Sequence, residues 1–154
     1  MLDHEGGDRM PQSARQARRT GAEEDWDGPY LNLSVFCTEA RQDVDGWSFL
    51  GVHGGSVGNG APWSYAEAVL AVTLTGGNRR GTSILDVFAT FPDSTRERVT
   101  GPDRLTFEGP AFGHTVASPI RVPAHTEGIV WFDIMVDGRL MSRLPFQIQH
   151  EIPG

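Results

Sequence analysis

Two hairpin signatures constrain the fold of this chain more than any other feature of its sequence. One spans residues 31–52 around Asp45-Gly46, and the other spans residues 129–148 around Asp137-Gly138. In each signature an Asp-Gly pair separates two runs in which apolar and polar residues alternate. Because glycine readily adopts the positive φ that a tight hairpin turn demands, the pattern predicts two pairs of antiparallel strands.

Alternation with a period of two continues from Tyr30 to the end of the second hairpin and predicts eight strands. These are residues 31–37, 47–53, 65–75, 82–91, 104–108, 116–122, 128–136 and 140–149. The fifth strand has an alternative start near Glu97, and residues 65–70 also suit a short helix. Eight short strands separated by turn residues are typical of an all-β protein, here a two-sheet antiparallel β-sandwich that is Ig-like or jelly-roll-like.

The buried face sets the register of the second hairpin. Its apolar residues occupy even positions on both strands: Val130, Phe132, Ile134 and Val136, then Leu140, Leu144, Phe146 and Ile148. A two-residue turn would oppose even positions to odd ones and put the two apolar sets on opposite faces. That register would expose the apolar side chains of one strand, whose burial is worth about 1.5–3 kcal/mol each. We therefore predict a three-residue loop with Gly138 in a bulge and Met135 opposite Arg139.

The first hairpin gives the opposite answer. A plain two-residue turn at Asp45-Gly46 pairs Val44 with Trp47. This register puts apolar residues of the first strand on the same face as those of the second: Leu33, Val35 and Cys37 with Leu50 and Val52. We therefore predict a two-residue turn here, with residues 31–37 paired to residues 47–53.

The chain divides into an arm and a domain. Residues 1–28 hold seven acidic residues and four arginines, with almost no large apolar residue before Trp26. Such a segment buries too little apolar surface to offset the entropy lost on ordering, so we expect a disordered N-terminal arm. Residues 29–154 are long enough to fold as a single β-sandwich domain without a metal or a disulfide.

Charge and apolar content restrict the partners. The net charge of −7 argues against a nucleic-acid partner, whose phosphates would repel the chain. No apolar run approaches the length that spans a membrane, so a membrane partner is not expected either. Cys37 is the single cysteine and has no partner for a disulfide. With no signal-peptide pattern at the N-terminus, a cytoplasmic protein fits best.

No catalytic constellation stands out in the sequence. Residues 54–58 match the G-x-S-x-G pattern of a nucleophile elbow around Ser56, but that motif requires a helix directly after the serine. Gly60 and Pro62 follow instead, so the stretch is predicted to be a loop between strands. The five histidines lack zinc-ligand spacing. We therefore expect no enzyme activity, no metal and no cofactor.

One strand of the second hairpin offers a candidate interaction surface. Trp131, Asp133 and Met135 alternate with its apolar residues and so lie on the outer face. Aromatic and methionine side chains on a surface mark partner sites, and Arg143 on the next strand is a candidate partner for Asp133. The alternative is that a loop or the N-terminal segment with Trp26 covers this face.

Two aspartates, Asp86 and Asp133, interrupt apolar strands. Each alternates away from its apolar neighbours, so we expect a solvated position or an Asp–Arg pair worth less than about 1 kcal/mol. Two carboxylates that face each other can instead carry out acid–base chemistry, which is the remaining alternative.

Three short stretches carry a family resemblance. They are residues 29–40 (PYLNLSVFCTEA), residues 127–138 (EGIVWFDIMVDG) and the closing Arg143-Leu144-Pro145-Phe146. Through them the chain resembles, over residues 29–149, a family of short bacterial proteins known as a domain of unknown function. The resemblance implies a small β-sandwich and provides no catalytic residues.

These expectations lead to a non-enzymatic binding or assembly module whose partner is a protein or a second copy of the chain. Its contact surface is predicted on the outer face around Trp131 or on the end loops at residues 54–63 and 79–80. The alternative is a small-molecule or carbohydrate-binding β-sandwich in which Trp47 or Trp63 stacks on the ligand.

Overall fold

The structure is a computed structural model that describes residues 26–54, 56–58 and 65–150, with backbone alone for residues 56–58. These residues form ten strands and no helix. The strands are β1 (Tyr30–Cys37), β2 (Glu39–Asp43), β3 (Gly46–Leu50), β4 (Ser56–Gly58), β5 (Tyr65–Thr75), β6 (Arg80–Thr90), β7 (Arg96–Glu108), β8 (Gly113–Pro123), β9 (Gly128–Val136) and β10 (Arg139–Gln149).

Two of the three sheets pack against each other. One has the strand order β1-β5-β8, the other has the order β4-β10-β9-β6-β7, and β2 with β3 forms a separate two-stranded ribbon. Every pairing of the described strands is antiparallel except that of β4 with β10, which is parallel. The prediction of an all-β sandwich built from antiparallel sheets is confirmed.

Alternate side chains of the two large sheets meet in one core. Leu70 on β5, Leu85 on β6 and Phe132 on β9 are each no more than 1% exposed. Phe36 on β1 packs its ring edge-on against Phe132 and Phe146, with ring centroids 5.3 and 5.1 Å apart. Because burial of such a side chain is worth about 1.5–3 kcal/mol, these contacts between sheets hold the sandwich together.

Strand positions agree best with the sequence in the second half of the chain. β5 and β9 have the predicted bounds, so the helical alternative at the start of β5 is wrong. β7 takes the longer of its two predicted extents and starts at Arg96. The sequence does not predict two strands: β2 has the polar sequence EARQD, and β4 lies inside the glycine-rich stretch expected to be a loop.

In most of the second hairpin, even-numbered residues pair with even-numbered residues, as expected, but the turn differs from the predicted one. Its turn has two residues, Asp137 (φ 51°) and Gly138 (φ 78°), and positive φ at both positions is the geometry of a type I′ turn. The extra residue lies beyond the turn, in a bulge that follows Leu140, after which even positions oppose even ones. The predicted pairing of Met135 with Arg139 is therefore wrong. The bulge also turns Leu140 outward, where it is 51% exposed rather than part of the core.

The first hairpin differs more from its prediction. β2 and β3 pair with each other around a two-residue loop of Val44 and Asp45, one residue earlier than expected. β1 pairs with β5 instead of β3, and only an isolated bridge joins its Phe36 to His53. The physical reason is that β5 offers β1 a largely apolar neighbour, whereas the ribbon strands are mostly exposed.

The prediction of which β1 side chains face the core is also wrong. A bulge between Leu31 and Leu33 changes the phase of the strand, so that Leu31 and Phe36 face the core. Leu33 is 37% exposed, and Val35 lies outside the core cluster. Cys37 is fully buried, yet it also lies outside that cluster.

Residues 26–29 lie against the sandwich. The Trp26 indole N–H donates to the Pro29 carbonyl at 3.0 Å, and the Asn78 N–H donates to the Asp27 carbonyl at 2.8 Å. Arg139 lies over the Trp26 ring, 4.8 Å from its centroid. The last residues of the predicted arm are thus attached to the sandwich, whereas residues 1–25 fall outside the described residues and their disorder stays a prediction.

Candidate functional site

The outer face of the five-stranded sheet carries a row of side chains from four adjacent strands. Arg98 on β7 lies opposite Phe88 on β6, which in turn lies opposite Asp133 on β9. Asp133 lies opposite Arg143 on β10. These positions alternate with core residues along their strands, so the row points away from the core.

Asp133 sits at the centre of the row and is buried, with its side chain only 8% exposed. The Arg96 Nη1 group donates a hydrogen bond to Asp133 Oδ2 at 2.7 Å. Arg143 Nε lies 3.1 Å from Asp133 Oδ1 without the geometry of a hydrogen bond, so that contact is Coulombic. Of the two expected alternatives for Asp133, a solvated position and an Asp–Arg pair, the structure shows the pair, and the carboxylate is buried under two guanidinium groups.

Each of three arginines also stacks on an aromatic ring. Arg96 and Arg98 lie over Phe88, 4.7 and 5.3 Å from its centroid. Arg143 lies 5.0 Å from the centroid of Trp131. Contacts of this kind are worth about 0.5–1 kcal/mol at exposed sites. We call this surface the arginine face and define it by the following residues: Asp86, Phe88, Arg96, Arg98, Trp131, Asp133 and Arg143.

The arginine face presents cations to solvent and keeps its carboxylates beneath them. The side chains of Arg96, Arg98 and Arg143 are 44%, 48% and 50% exposed. Those of Asp86 and Asp133 are 17% and 8% exposed. Each guanidinium has five N–H donors, and the contacts to aspartate use only part of that capacity. The remaining donors can bind carboxylates or other anions supplied by a partner.

Trp131 and Met135 lie on the outer face, as expected, and both are partly buried. The cover over Trp131 is Arg143, whereas Trp26 packs at the Arg139 end of the sheet. The N-terminal segment described here therefore does not supply the stacking contact on Trp131.

The two aspartates do not pair for acid–base chemistry. Asp86 Oδ1 lies 3.0 Å from Arg98 Nε, while Asp133 contacts two other arginines. Asp86 is thus neutralised by one arginine and Asp133 by two, and the two carboxylates share no proton.

Other predicted site residues are not part of the arginine face. Trp47 stacks on Phe49 in the β2–β3 ribbon, with ring centroids 6.4 Å apart, and Trp63 falls outside the described residues. Arg79 donates to the Ser83 hydroxyl at 3.2 Å, and Arg80 donates to a backbone carbonyl at 3.1 Å, so both bind within their own domain.

The serine pattern at residues 54–58 does not form a nucleophile elbow. Ser56 begins β4, which pairs in parallel with β10, so a strand and not a helix starts at the serine. Within the described residues no group of three or more histidine, cysteine, aspartate or glutamate side chains is placed to hold a metal ion. In the same residues no helix is long and apolar enough to cross a membrane.

Two surface hollows lie elsewhere on the molecule. A cleft of about 430 Å³ beside β5 and β8 is lined by apolar residues such as Val69 and Ile120 together with His53, Glu67 and Arg121. A hollow of about 220 Å³ at one end of the sandwich contains Asp93 and His125. Hydrogen bonds from Thr95 lower the pKa of Asp93, and His125 adds a smaller electrostatic effect.

Sequence reasoning missed Arg96, Arg98 and Phe88 as members of the site. The available signal was the alternation of Arg96 and Arg98 on the longer version of β7, which places both on one face. Their aromatic and acidic partners lie on β6 and β9, and no local pattern shows which strands become neighbours.

Comparison with known proteins does not assign the chain to a family. No family model matches the chain, and no curated protein matches it. The resemblance of the two hairpin stretches to a bacterial family of unknown function therefore stays a prediction.

Proposed function

We propose that this chain is a non-enzymatic binding module that recognises an acidic segment of a protein partner through its arginine face. The observation that carries the proposal is the set of three half-exposed arginines, each held over an aromatic ring and fixed by a buried or nearly buried carboxylate. Because these donors are already oriented, the arginine side chains lose little conformational entropy when an anionic ligand binds.

Charge favours an acidic protein segment on this face. The chain as a whole carries −7, so a fixed cluster of arginines is a local exception to its overall charge. A polyanion as large as a nucleic acid would also meet the acidic remainder of the surface, whereas a short acidic segment meets the arginine face alone. Planar guanidinium groups bind carboxylates in two-point geometry, which adds orientation to the attraction.

The test uses a fluorescently labelled oligoglutamate peptide and anisotropy measurements on the full chain. We expect salt-sensitive binding, because exposed charge contacts are screened by ions. Arg98→Gln or Arg143→Gln should each weaken binding by about 2–5-fold, as removal of one exposed ion pair does. Equal or tighter binding of a single-stranded oligonucleotide would overturn the assignment to an acidic protein.

Arg121→Gln is the matched control. Arg121 also stacks on an aromatic ring, that of Tyr65 at 4.4 Å, and contacts a carboxylate, that of Glu67 at 3.2 Å. It lies alone on β8, on the other large sheet. If one arginine on an aromatic ring were enough, this variant would weaken peptide binding as much as the others, and the arginine face would lose its special role.

A second candidate function, binding of a small polar molecule, rests on the 430 Å³ cleft. Its volume is in the range of small-ligand sites, and Glu67 and Arg121 offer both charges at its wall. Thermal-shift screening with sugars and metabolites tests it. A ligand whose stabilisation is lost in Arg121→Gln but kept in Arg98→Gln would support this function in place of the first.

A further inference from the structure

The edges of the two large sheets differ in how they are protected against pairing with another strand. β7 carries six charged residues, a proline and two irregularities in its pairing with β6. β8 contains Pro119, Arg121 and Pro123. β4 has three residues, and the part of β10 beyond it contains Arg143 and Pro145. Charges, prolines, bulges and short length are the features that prevent edge-to-edge association.

β1 lacks most of this protection. Its eight residues, YLNLSVFC, include no charge and no proline. A bulge near Leu31 interrupts one end of β1, and the bridge from Phe36 to His53 occupies the other end. Between them, no described strand pairs with the side of β1 that faces away from β5. The His53 N–H donates to the Phe36 carbonyl on the side away from β5. Backbone groups of successive residues in a strand point to opposite sides, so the N–H and C=O groups of Ser34, two residues before Phe36, also point away from β5.

Space is available beside this edge. A groove of about 180 Å³ separates β1 from β10, with Ser34, Phe36, Leu144 and Pro145 among its lining residues. Leu144 faces the core and remains only partly buried there. On the opposite side of the sandwich, β7 and β8 approach each other, and Thr100 donates to the Ser118 hydroxyl at 3.3 Å. The two sides of the sandwich thus differ: a side-chain hydrogen bond joins β7 and β8, whereas a groove lies between β1 and β10.

We propose that two copies of this chain associate by pairing β1 with β1 in antiparallel orientation. The two three-stranded sheets then form one six-stranded sheet across a two-fold axis, and Leu33 and Val35 of each copy meet the other copy. The occupant is a second copy because an uncharged edge accepts an uncharged strand without the cost of burying a charge. Among the described edge strands of the two large sheets, β1 is the only uncharged one longer than three residues.

The experiment is mass measurement by light scattering and sedimentation velocity on the full chain over a range of concentrations. The expected mass is twice the 16.8 kDa of the chain at high concentration, falling toward the monomer on dilution. Leu33→Lys puts a charge on the edge, and Ser34→Pro removes an N–H that points away from β5. Each should yield a folded monomer, with folding checked by circular dichroism and thermal unfolding.

Val44→Lys is the control for added charge, because Val44 is 99% exposed at the tip of the ribbon. It should leave the dimer intact. A monomer at every soluble concentration overturns the proposal, and so does a dimer that survives both edge variants. A dimer that Arg143→Gln disrupts would place the interface on the arginine face instead. Loss of peptide binding with an intact β1 dimer would refute the proposed function alone, so the two proposals fail separately.

Discussion

The outer faces of the two large sheets differ in the chemistry that they show to solvent. On the five-stranded sheet, arginines stack on aromatic rings and contact aspartates that are largely buried. On the three-stranded sheet, the pair of Glu67 and Arg121 lies at one end, and residues 30–37, 68–75 and 113–120 contain no aspartate, glutamate or arginine. Thr73 and Thr115 share a hydrogen bond of 3.0 Å there, which satisfies two hydroxyls without any charge.

This difference separates two kinds of recognition in one small domain. Fixed guanidinium groups favour a partner by its charge, and they lose that preference as salt increases. An uncharged edge favours a partner by backbone hydrogen bonds and apolar contacts, which depend much less on salt. Salt is therefore the simplest variable that separates the two proposals: peptide binding should weaken in high salt while the β1 dimer persists.

The contact between the two sheets should give the largest effect on stability. Phe36 belongs to the three-stranded sheet, and its ring packs against Phe132 and Phe146 of the five-stranded one. Phe36→Ala removes that ring from a site that is 3% exposed, so we expect a loss of about 3–5 kcal/mol in the free energy of unfolding. Urea denaturation measures it. Phe112→Ala is the control, because Phe112 is 42% exposed and should cost far less.

The arginine face should show an intermediate effect that depends on which partner is removed. Arg96→Met with Arg143→Met leaves Asp133 buried without a cation, and we expect a loss of about 2–3 kcal/mol. Asp133→Asn alone should cost less, because both arginines are about half exposed and can turn to water. Urea unfolding of all three variants gives the comparison.

Addition of Asp133→Asn to the double arginine variant should restore much of the lost stability, since it removes the unpaired charge. If the double variant unfolds at the same urea concentration as the parent, Asp133 does not depend on its arginines and the account of this face is wrong.

Local patterns predicted the strands and failed where a choice depended on distant neighbours. A nearly continuous apolar run located β5, the period of two located β9, and the buried face gave even-with-even register in β10. The turn was wrong because a bulge in the strand satisfies the same buried face as a bulge at Gly138 does. Both bulge positions put the same apolar side chains in the core, so burial alone cannot distinguish them.

The site was predictable only in part for the same reason. Trp131, Asp133 and Arg143 lie on adjacent strands of one hairpin, so their proximity follows from local sequence. Arg96 reaches Asp133 from β7, which is separated from β9 in the sheet by β6. That neighbourhood is set by the order of strands in the sheet, and burial of Asp133 follows from it. No alternation pattern contains this information.

The smallest expected effect concerns a carboxylate that no arginine of the outer face contacts. Asp93 lies in the turn between β6 and β7, where its Oδ1 accepts hydrogen bonds from the Thr95 N–H at 2.9 Å and hydroxyl at 2.7 Å. These bonds lower its pKa below the usual 3.8. A lowered pKa in the folded state contributes stability above the unfolded value, and that contribution is lost as pH falls through the folded value.

Asp93→Asn keeps an oxygen acceptor for Thr95 but cannot titrate, so it isolates this contribution. At neutral pH the parent should be slightly more stable than the variant, and the difference should shrink as pH falls from the usual pKa of 3.8 through the lower pKa of the folded state. Urea unfolding at neutral pH and at about pH 3 measures the change in the difference between the two proteins. A constant difference across that range would show that the Thr95 hydrogen bonds do not favour the charged form of Asp93. The turn carboxylate would then contribute through geometry alone, whereas the charges of the arginine face would remain the feature that separates the two sheets.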